Sequence, residues 1–251
     1  MIKTSSLILK RDENIVIQNF DFKWNNGEKI VVVGPTGAGK STLALGLSGI
    51  IPSPPGSIVI DSKNIVDFDL KNLRKKVGII FQDPETQFVT TDVRREIGFG
   101  LRNIKNDVQE IKEIIDSVIE KFNLEHILER DPSSLSAGEK QMVSIASVYA
   151  MQPEYIIFDE VTSCLDRKSR EKIYKIWENT TSSLLIITQN FREISFGERI
   201  ILLENGKINF EAKIEDLEGS SHFSYDSAFF NLLRKNKDKI PEYERILEVL
   251  K

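Results

Sequence analysis

Residues 34–41, Gly34-Pro35-Thr36-Gly37-Ala38-Gly39-Lys40-Ser41, fit the pattern G-x-x-x-x-G-K-[ST]. Glycines at this spacing let a backbone wrap closely around phosphate oxygens, with successive N–H groups and a helix N-terminus facing the anion. Lys40 can reach β- and γ-phosphates, Ser41 offers a hydroxyl to Mg²⁺, and Thr42 can bond on the α-phosphate side. The plain alternative is an ordinary glycine turn; the position after an apolar strand and before a helix argues against it. Further along, Tyr155-Ile156-Ile157-Phe158-Asp159-Glu160 is an apolar run ending in two carboxylates. A buried strand admits acids only at its exposed carboxyl end. There Asp159 can hold Mg²⁺ through water, and Glu160 can polarise an attacking water. Leu135-Ser136-Ala137-Gly138-Glu139 leads into a helix. Ser136 and the N–H groups of Ala137 and Gly138 can form a second anion site, with a simple helix cap as the alternative. One nucleotide needs only one phosphate loop, so the second site suits a nucleotide held by another subunit.

These residues need elements to hold them. Ile15–Trp24 alternates as a half-buried strand with a slip near Gln18–Asn19, and Lys29–Val33 reads as a buried strand feeding the glycine loop. A helix follows from Lys40 to about Gly49. Ser57–Asp61 and Val77–Phe81 are further strands. Val108, Ile111, Ile115, Val118, Ile119 and Phe122 recur at helical spacing, predicting an amphipathic helix over Asn106–Ile127. Ser136 followed by Glu139 is a capping box opening a helix to Ala150, which Pro153 stops. Leu184–Thr188 is a strand run, separated from Tyr155–Phe158 by a helix around Arg167–Asn179. Asn205-Gly206 joins two strands as a hairpin. The tail from Ser227 to Lys251 reads as helical, with an interruption near Pro241. The pattern is α/β with a mostly helical insert between about Gln82 and Gln152.

The chain has 251 residues, 40% hydrophobic and 29% charged, an ordinary globular composition. Lys+Arg 34 against Asp+Glu 38 gives −4, which does not favour a nucleic-acid partner. One cysteine, Cys164, excludes an intrachain disulfide and a Cys-based zinc site, and it reads as a small packing residue. His126 and His222 read as unpaired surface residues. No apolar run reaches membrane-spanning length.

In order and spacing the chain resembles the nucleotide-binding subunit of ATP-binding-cassette (ABC) transporters across roughly residues 1–215. The matching segments are the phosphate loop (Gly34–Thr42), the Q-loop glutamine Gln82, the signature (Leu135–Glu139), Tyr155–Asp159, the catalytic-glutamate position Glu160, and a D-loop, Ser163-Cys164-Leu165-Asp166. Phe81-Gln82-Asp83-Pro84-Glu85-Thr86-Gln87-Phe88 is similar to the Q-loop of energy-coupling factor (ECF) ATPases, which power uptake of vitamins or of cobalt or nickel ions. The resemblance implies a P-loop NTPase (RecA-like) core with an antiparallel β subdomain, a helical signature subdomain inserted at about 82–152, and a short helical C-terminal extension at 216–251. It further implies ATP and Mg²⁺ as ligands, with Ser41, Gln82 and Asp159 on the metal. Two cassettes would pair head to tail, with Asp166 acting across the interface. A transmembrane coupling subunit would dock beside Gln87–Phe99, near Arg94 and Arg95, and a substrate-binding membrane subunit would complete a complex at the cytoplasmic face of the membrane. For Arg94 and Arg95 a solvated helix face is the alternative.

Several positions depart from that pattern. Gln189 stands where the switch residue is normally histidine; glutamine can donate to phosphate but cannot exchange a proton at neutral pH. Ala137 replaces a usual glycine and Glu139 a usual glutamine. Leu9-Lys10-Arg11 lies where an aromatic normally stacks on adenine, and the planar guanidinium of Arg11 can stand in. These departures are expected of the less regular half of an ATPase heterodimer. The rival readings are an ATP-binding regulatory subunit and a non-transport ABC ATPase.

Overall fold

The computed structural model describes residues 1–214, apart from the Phe191 side chain. The expected helical tail, the extension at 216–251 and His222 lie outside the described residues. The chain opens with a strand that its sequence pattern conceals, β1 (Ile2–Arg11), paired antiparallel with β2 (Asn14–Trp24). Ile2 and Thr4 point inward, then Leu7 and Leu9. The break is a bulge at Ser6, whose φ is 44°, matched by Asn19 at 49° on the facing strand. An extra residue flips the alternation, which is why period-two reading loses β1 and registers a slip in β2.

β3 (Lys29–Val33) runs into the glycine loop and α1 (Lys40–Leu47). β4 (Ile58–Ile60) and β5 (Lys63–Asn64) extend the first sheet to the order β2-β1-β4-β5, an antiparallel layer. After α2 (Leu70–Lys76), β6 (Val77–Ile80) enters the second sheet. The helical insert comes next: α3 (Val93–Ile104), α4 (Val108–Phe122) and α5 (Ala137–Ala150). The chain returns through β7 (Tyr155–Asp159), α6 (Arg167–Asn179), β8 (Ser183–Ile187), β9 (Arg199–Glu204) and β10 (Lys207–Lys213). The six-stranded sheet has the order β10-β9-β3-β8-β7-β6, parallel except for β10.

This sheet separates two cores. Val31, Val33, Ile156, Phe158, Leu184 and Ile186 face the helical insert. Ile30, Val32, Tyr155, Ile157, Leu185 and Ile187 face α1 and the antiparallel layer. The mixed α/β architecture is thus the one the sequence predicts. Two helix assignments change. The segment expected as one helix from Asn106 to Ile127 is shorter, because Asp107 caps it at one end and Asn123, at φ 53°, ends it. Leu124 and Ile127 remain buried beyond that point, which prolongs the apolar periodicity without prolonging the helix. α3 is a full helix, capped by the Asp92 side chain, which accepts from the Arg95 N–H at 2.8 Å. No described helix is long and apolar enough to cross a membrane.

Candidate active site

The glycine loop forms where β3 ends. Gly34 has φ 156°, and a Cβ there would lie 2.1 Å from the Leu203 carbonyl oxygen. Gly39, at φ 103°, is the N-cap of α1, and no side chain caps that helix. The loop is braced from outside by the β9–β10 turn, where the Gly206 N–H donates to the Ala38 carbonyl at 3.0 Å. The result is a backbone cradle with a helix N-terminus behind it, suited to an anion.

Lys40 is buried, and its ammonium donates to the carbonyls of Gly34 at 2.8 Å and Pro35 at 3.2 Å. It also lies 3.4 Å from Glu160 Oε1. β7 delivers Asp159 and Glu160 to this spot. Asp159 is 6% exposed and its Oδ1 has no hydrogen-bond partner. Burial, reinforced by the neighbouring Glu160 charge, pushes its carboxyl up, while the Ser41 hydroxyl and Lys40 pull it down. Such an orphaned buried oxygen, with Ser41 beside it, fits a divalent cation. Among the described residues no three His, Cys, Asp or Glu side chains cluster to hold a metal, so phosphate oxygens would have to supply the remaining ligands.

Glu160 sits at φ 51°, with its N–H on the Ile187 carbonyl at 3.0 Å. Gln189 follows β8 and donates from Nε2 to Glu160 Oε1 at 3.0 Å. One carboxylate oxygen therefore faces both Lys40 and Gln189. Gln82, just past β6, donates to the Ser163 hydroxyl at 3.2 Å, and that hydroxyl donates to the Glu160 carbonyl at 2.9 Å. Lys40, Ser41, Asp159, Glu160 and Gln189 thus lie together at the cradle, and Gln82 reaches it through Ser163.

Arg11 borders a cavity of about 570 Å³ with Ile8, Lys10, Thr42, Leu45 and Pro52. Thr42 belongs to α1, so the cavity adjoins the phosphate cradle. The signature region stands apart. Ser136 and Glu139 form the predicted capping box: the Ser136 N–H and hydroxyl donate to Glu139 Oε2 at 2.9 and 2.7 Å. That bonding, the Ser136 hydroxyl first, holds the Glu139 carboxyl below its ordinary range. Gly138 packs against α6, where a Cβ would meet the Ser169 hydroxyl at 2.2 Å. Asp166 caps α6 by accepting from the Ser169 N–H at 2.9 Å.

Some features escape sequence reading. Lys140 pairs with Glu85, the Ser144 hydroxyl donates to Gln87, and Gln141 Nε2 donates to the Phe81 carbonyl at 3.3 Å. This clamp binds the Q-loop to α5, and its only sequence signal is that all three α5 residues are polar on one helical face. Arg94 pairs with Asp116, and Arg95 with Asp92 at 3.1 Å. Cys164 is exposed and not a packing residue, because the turn carrying it buries Val161, Thr162 and Leu165 instead. His126 is on the surface as expected, but not isolated: the turn that follows α4 brings it 3.9 Å from Glu139, an ion pair when the imidazole is protonated.

Fold and site together define a nucleotide-binding cassette of the P-loop class. The family described as ABC transporter matches residues 17–163. A protein named energy-coupling factor transporter ATP-binding protein EcfA1 from Mesomycoplasma hyopneumoniae (strain 7448) is 39% identical over 215 residues, 83% of this chain and 79% of that one. One of the same name from Fusobacterium nucleatum is 36% identical over 249 residues, 96% of this chain and 94% of that one. The chain belongs to the ABC transporter ATP-binding family and, within it, is like the energy-coupling factor ATPases. Among solved structures, the dimeric ATP-binding cassette MJ0796 in a post-hydrolysis state with ADP and Pi matches at TM-score 0.77 and 26% identity, over 85% of this chain and 99% of that one. The cbiO1 protein of Clostridium perfringens, part of the ABC transporter complex cbiONQ, matches at TM-score 0.74 and 25% identity, over 98% of each.

Proposed function

We propose that this chain is the Mg²⁺-dependent ATPase subunit of an ECF-type membrane transporter for uptake of vitamins or metal ions, and the less regular half of an ATPase heterodimer. The observation that carries the reading is the meeting of Lys40, Asp159, Glu160, Gln189 and Gln82 at one phosphate cradle. The names of its relatives and the cbiONQ assembly of a structural neighbour support the transporter setting. The partners would be a second cassette, a transmembrane coupling subunit docked beside residues 87–99, and a substrate-binding membrane subunit, at the cytoplasmic face. Val89 and Phe99, both exposed within that segment, suit such docking.

The chemistry follows from the resting geometry. ATP phosphates enter the cradle, and Lys40 leaves the Gly34 and Pro35 carbonyls for phosphate oxygens. Adenine lies toward Arg11. A divalent cation held by Ser41, Asp159 and Gln82 would neutralise phosphate charge. Losing Lys40 frees Glu160 to orient a water and take its proton as the water oxygen bonds the γ-phosphorus and the β–γ bridge breaks. Gln189 keeps Glu160 in place and offers an N–H, but moves no proton. The signature of one cassette closes on the nucleotide of the other, which requires Ser136 to release Glu139. Asp166 lies at the turn that meets the partner.

The test is to tag the chain in its cell, solubilise membranes in mild detergent and identify what copurifies. A second ATPase with a hydrophobic transmembrane protein is expected. Recovery of the chain alone, or of soluble partners only, sinks the transporter reading. In the purified complex, Glu160→Gln should abolish this chain's share of turnover. Unchanged turnover would make the chain a regulatory ATP binder.

A further inference from the structure

Glu193 belongs to none of the sequence motifs, yet at 1% exposure it is the most deeply buried acid among the described residues. Its Oε1 accepts three hydrogen bonds: from the Thr162 hydroxyl at 2.7 Å, the Tyr174 hydroxyl at 2.9 Å and Asn190 Nδ2 at 3.2 Å. Thr162 lies two residues past Glu160, and Asn190 directly follows Gln189. Tyr174 comes from α6. Another buried acid, Glu96, serves as contrast. It lies in the first turn of α3 and accepts from Val89 and Thr90 in the loop just before that helix, at separations of six or seven residues. Glu193 instead reaches across 31 residues to Thr162.

Burying a carboxylate costs several kcal/mol, so packing alone would favour an apolar side chain there. What the charge supplies is a strong, directional acceptor for three donors at once. Tyr174 remains a donor at any ordinary pH, because burial first, and then the Glu193 charge, pushes its hydroxyl up. Short links carry the restraint forward. The Ser163 N–H bonds the Glu160 carbonyl at 3.1 Å, and the Asn190 N–H bonds the Thr188 hydroxyl at 2.9 Å.

We propose that Glu193 is a positioning residue for hydrolysis: one buried oxygen pins the Glu160 turn and the Gln189 segment together from behind, and so fixes the 3.0 Å contact between those two side chains. The inference rests on hydrolysis at this chain's own site. Without the pin, the two segments separate, and a misplacement of about 1 Å at a reacting centre costs on the order of 100-fold in rate.

The experiment uses the full chain in the complex with which it purifies, with ATPase kinetics, binding of a fluorescent ATP analogue and thermal melting. Glu193→Ala should lower this site's kcat by roughly 10–100-fold with KM within about threefold. Glu193→Gln, whose amide oxygen still accepts, should recover most of that loss, and Thr162→Val should give a smaller fall of about 3–10-fold. In a Gln189→Ala background, Glu193→Ala should add less than about threefold, since both act through Glu160. Turnover within twofold of the parent for Glu193→Ala and Thr162→Val overturns the inference, as does a parallel loss of binding, kcat and melting temperature. If Glu193→Ala does not fold, the Gln and Val variants decide. Should Glu160→Gln itself leave turnover unchanged, hydrolysis at this site fails and takes the inference with it. If Glu160→Gln abolishes turnover while Glu193→Ala and Thr162→Val stay within twofold of the parent, only the inference falls.

Discussion

Asp159→Asn should make the nucleotide-free chain more stable while destroying its function. Asp159 is 6% exposed, its Oδ1 lacks a partner, and Glu160 adds a second negative charge next to it. Lys40 compensates poorly because two carbonyls and Glu160 already engage it. The amide still carries an unpaired oxygen but removes the buried charge beside Glu160, and a buried charge short of partners costs about 1–3 kcal/mol. In a chain of this size each kcal/mol moves the melting temperature by about 2–4 °C, so the variant should melt roughly 2–12 °C higher. The pH dependence has a definite sign. A carboxyl raised above its ordinary 3.8 on folding favours the folded state below that value. That favour is lost as pH rises through the folded pKa, so the gap between variant and parent should open with rising pH and close under acid. Differential scanning calorimetry of the full chain from pH 3.5 to 8, with and without Mg²⁺, reads both. Equal or lower melting of the variant at pH 7.5 would refute the reasoning.

Gln189→Ala removes a hydrogen bond to a charged group, worth about 1.5–3 kcal/mol, so kcat of this site should drop roughly 10–150-fold with ATP binding retained in equilibrium titration. Arg11→Ala should weaken ATP binding by about 3–10-fold and leave kcat near the parent value, as isothermal titration and steady-state rates would show. Gly206→Ala forces a Cβ to within 1.9 Å of the Val16 carbonyl oxygen at φ 73°; urea unfolding should register a loss of about 2–4 kcal/mol. Ser136→Ala should cost about 1 kcal/mol. Because the Ser136 bonds hold Glu139 low, the stability they contribute is present above its ordinary 4.5 and lost as pH falls through the lowered pKa, so the same variant should flatten that part of the acid-unfolding curve.

What was legible in the chain is whatever is local in sequence. The glycine loop, the capping box at Ser136, the helix at Arg167–Asn179 and the Asn205-Gly206 hairpin each occupy a few adjacent residues with one physical solution. β1 hid because a single extra residue at Ser6 inverts its alternation. α3 hid because only Val93, Ile97 and Leu101 mark its buried stripe, between polar residues that read equally well as a docking surface. The site's members were readable one by one, but not their contacts. That Gln189 meets Glu160, or that Lys40 comes to lie beside Glu160, depends on how β3, β7 and β8 lie side by side. Glu193 carried no signal at all: its partners are 3, 19 and 31 residues away, and only the assembled fold brings them to one oxygen.

The six-stranded sheet is buried on both faces, and alternate residues of each strand serve different cores. Val31 and Phe158 answer to the helical insert, Val32 and Ile157 to the antiparallel layer. Changes on one side are thus screened from the other by a layer of hydrogen-bonded backbone. An inherited substitution in the helical half needs compensating partners only within that half, and the converse holds for the half built on the antiparallel layer. The two faces of one strand can therefore evolve as separate lineages of contacts, one answering to the helical insert and one to the antiparallel layer.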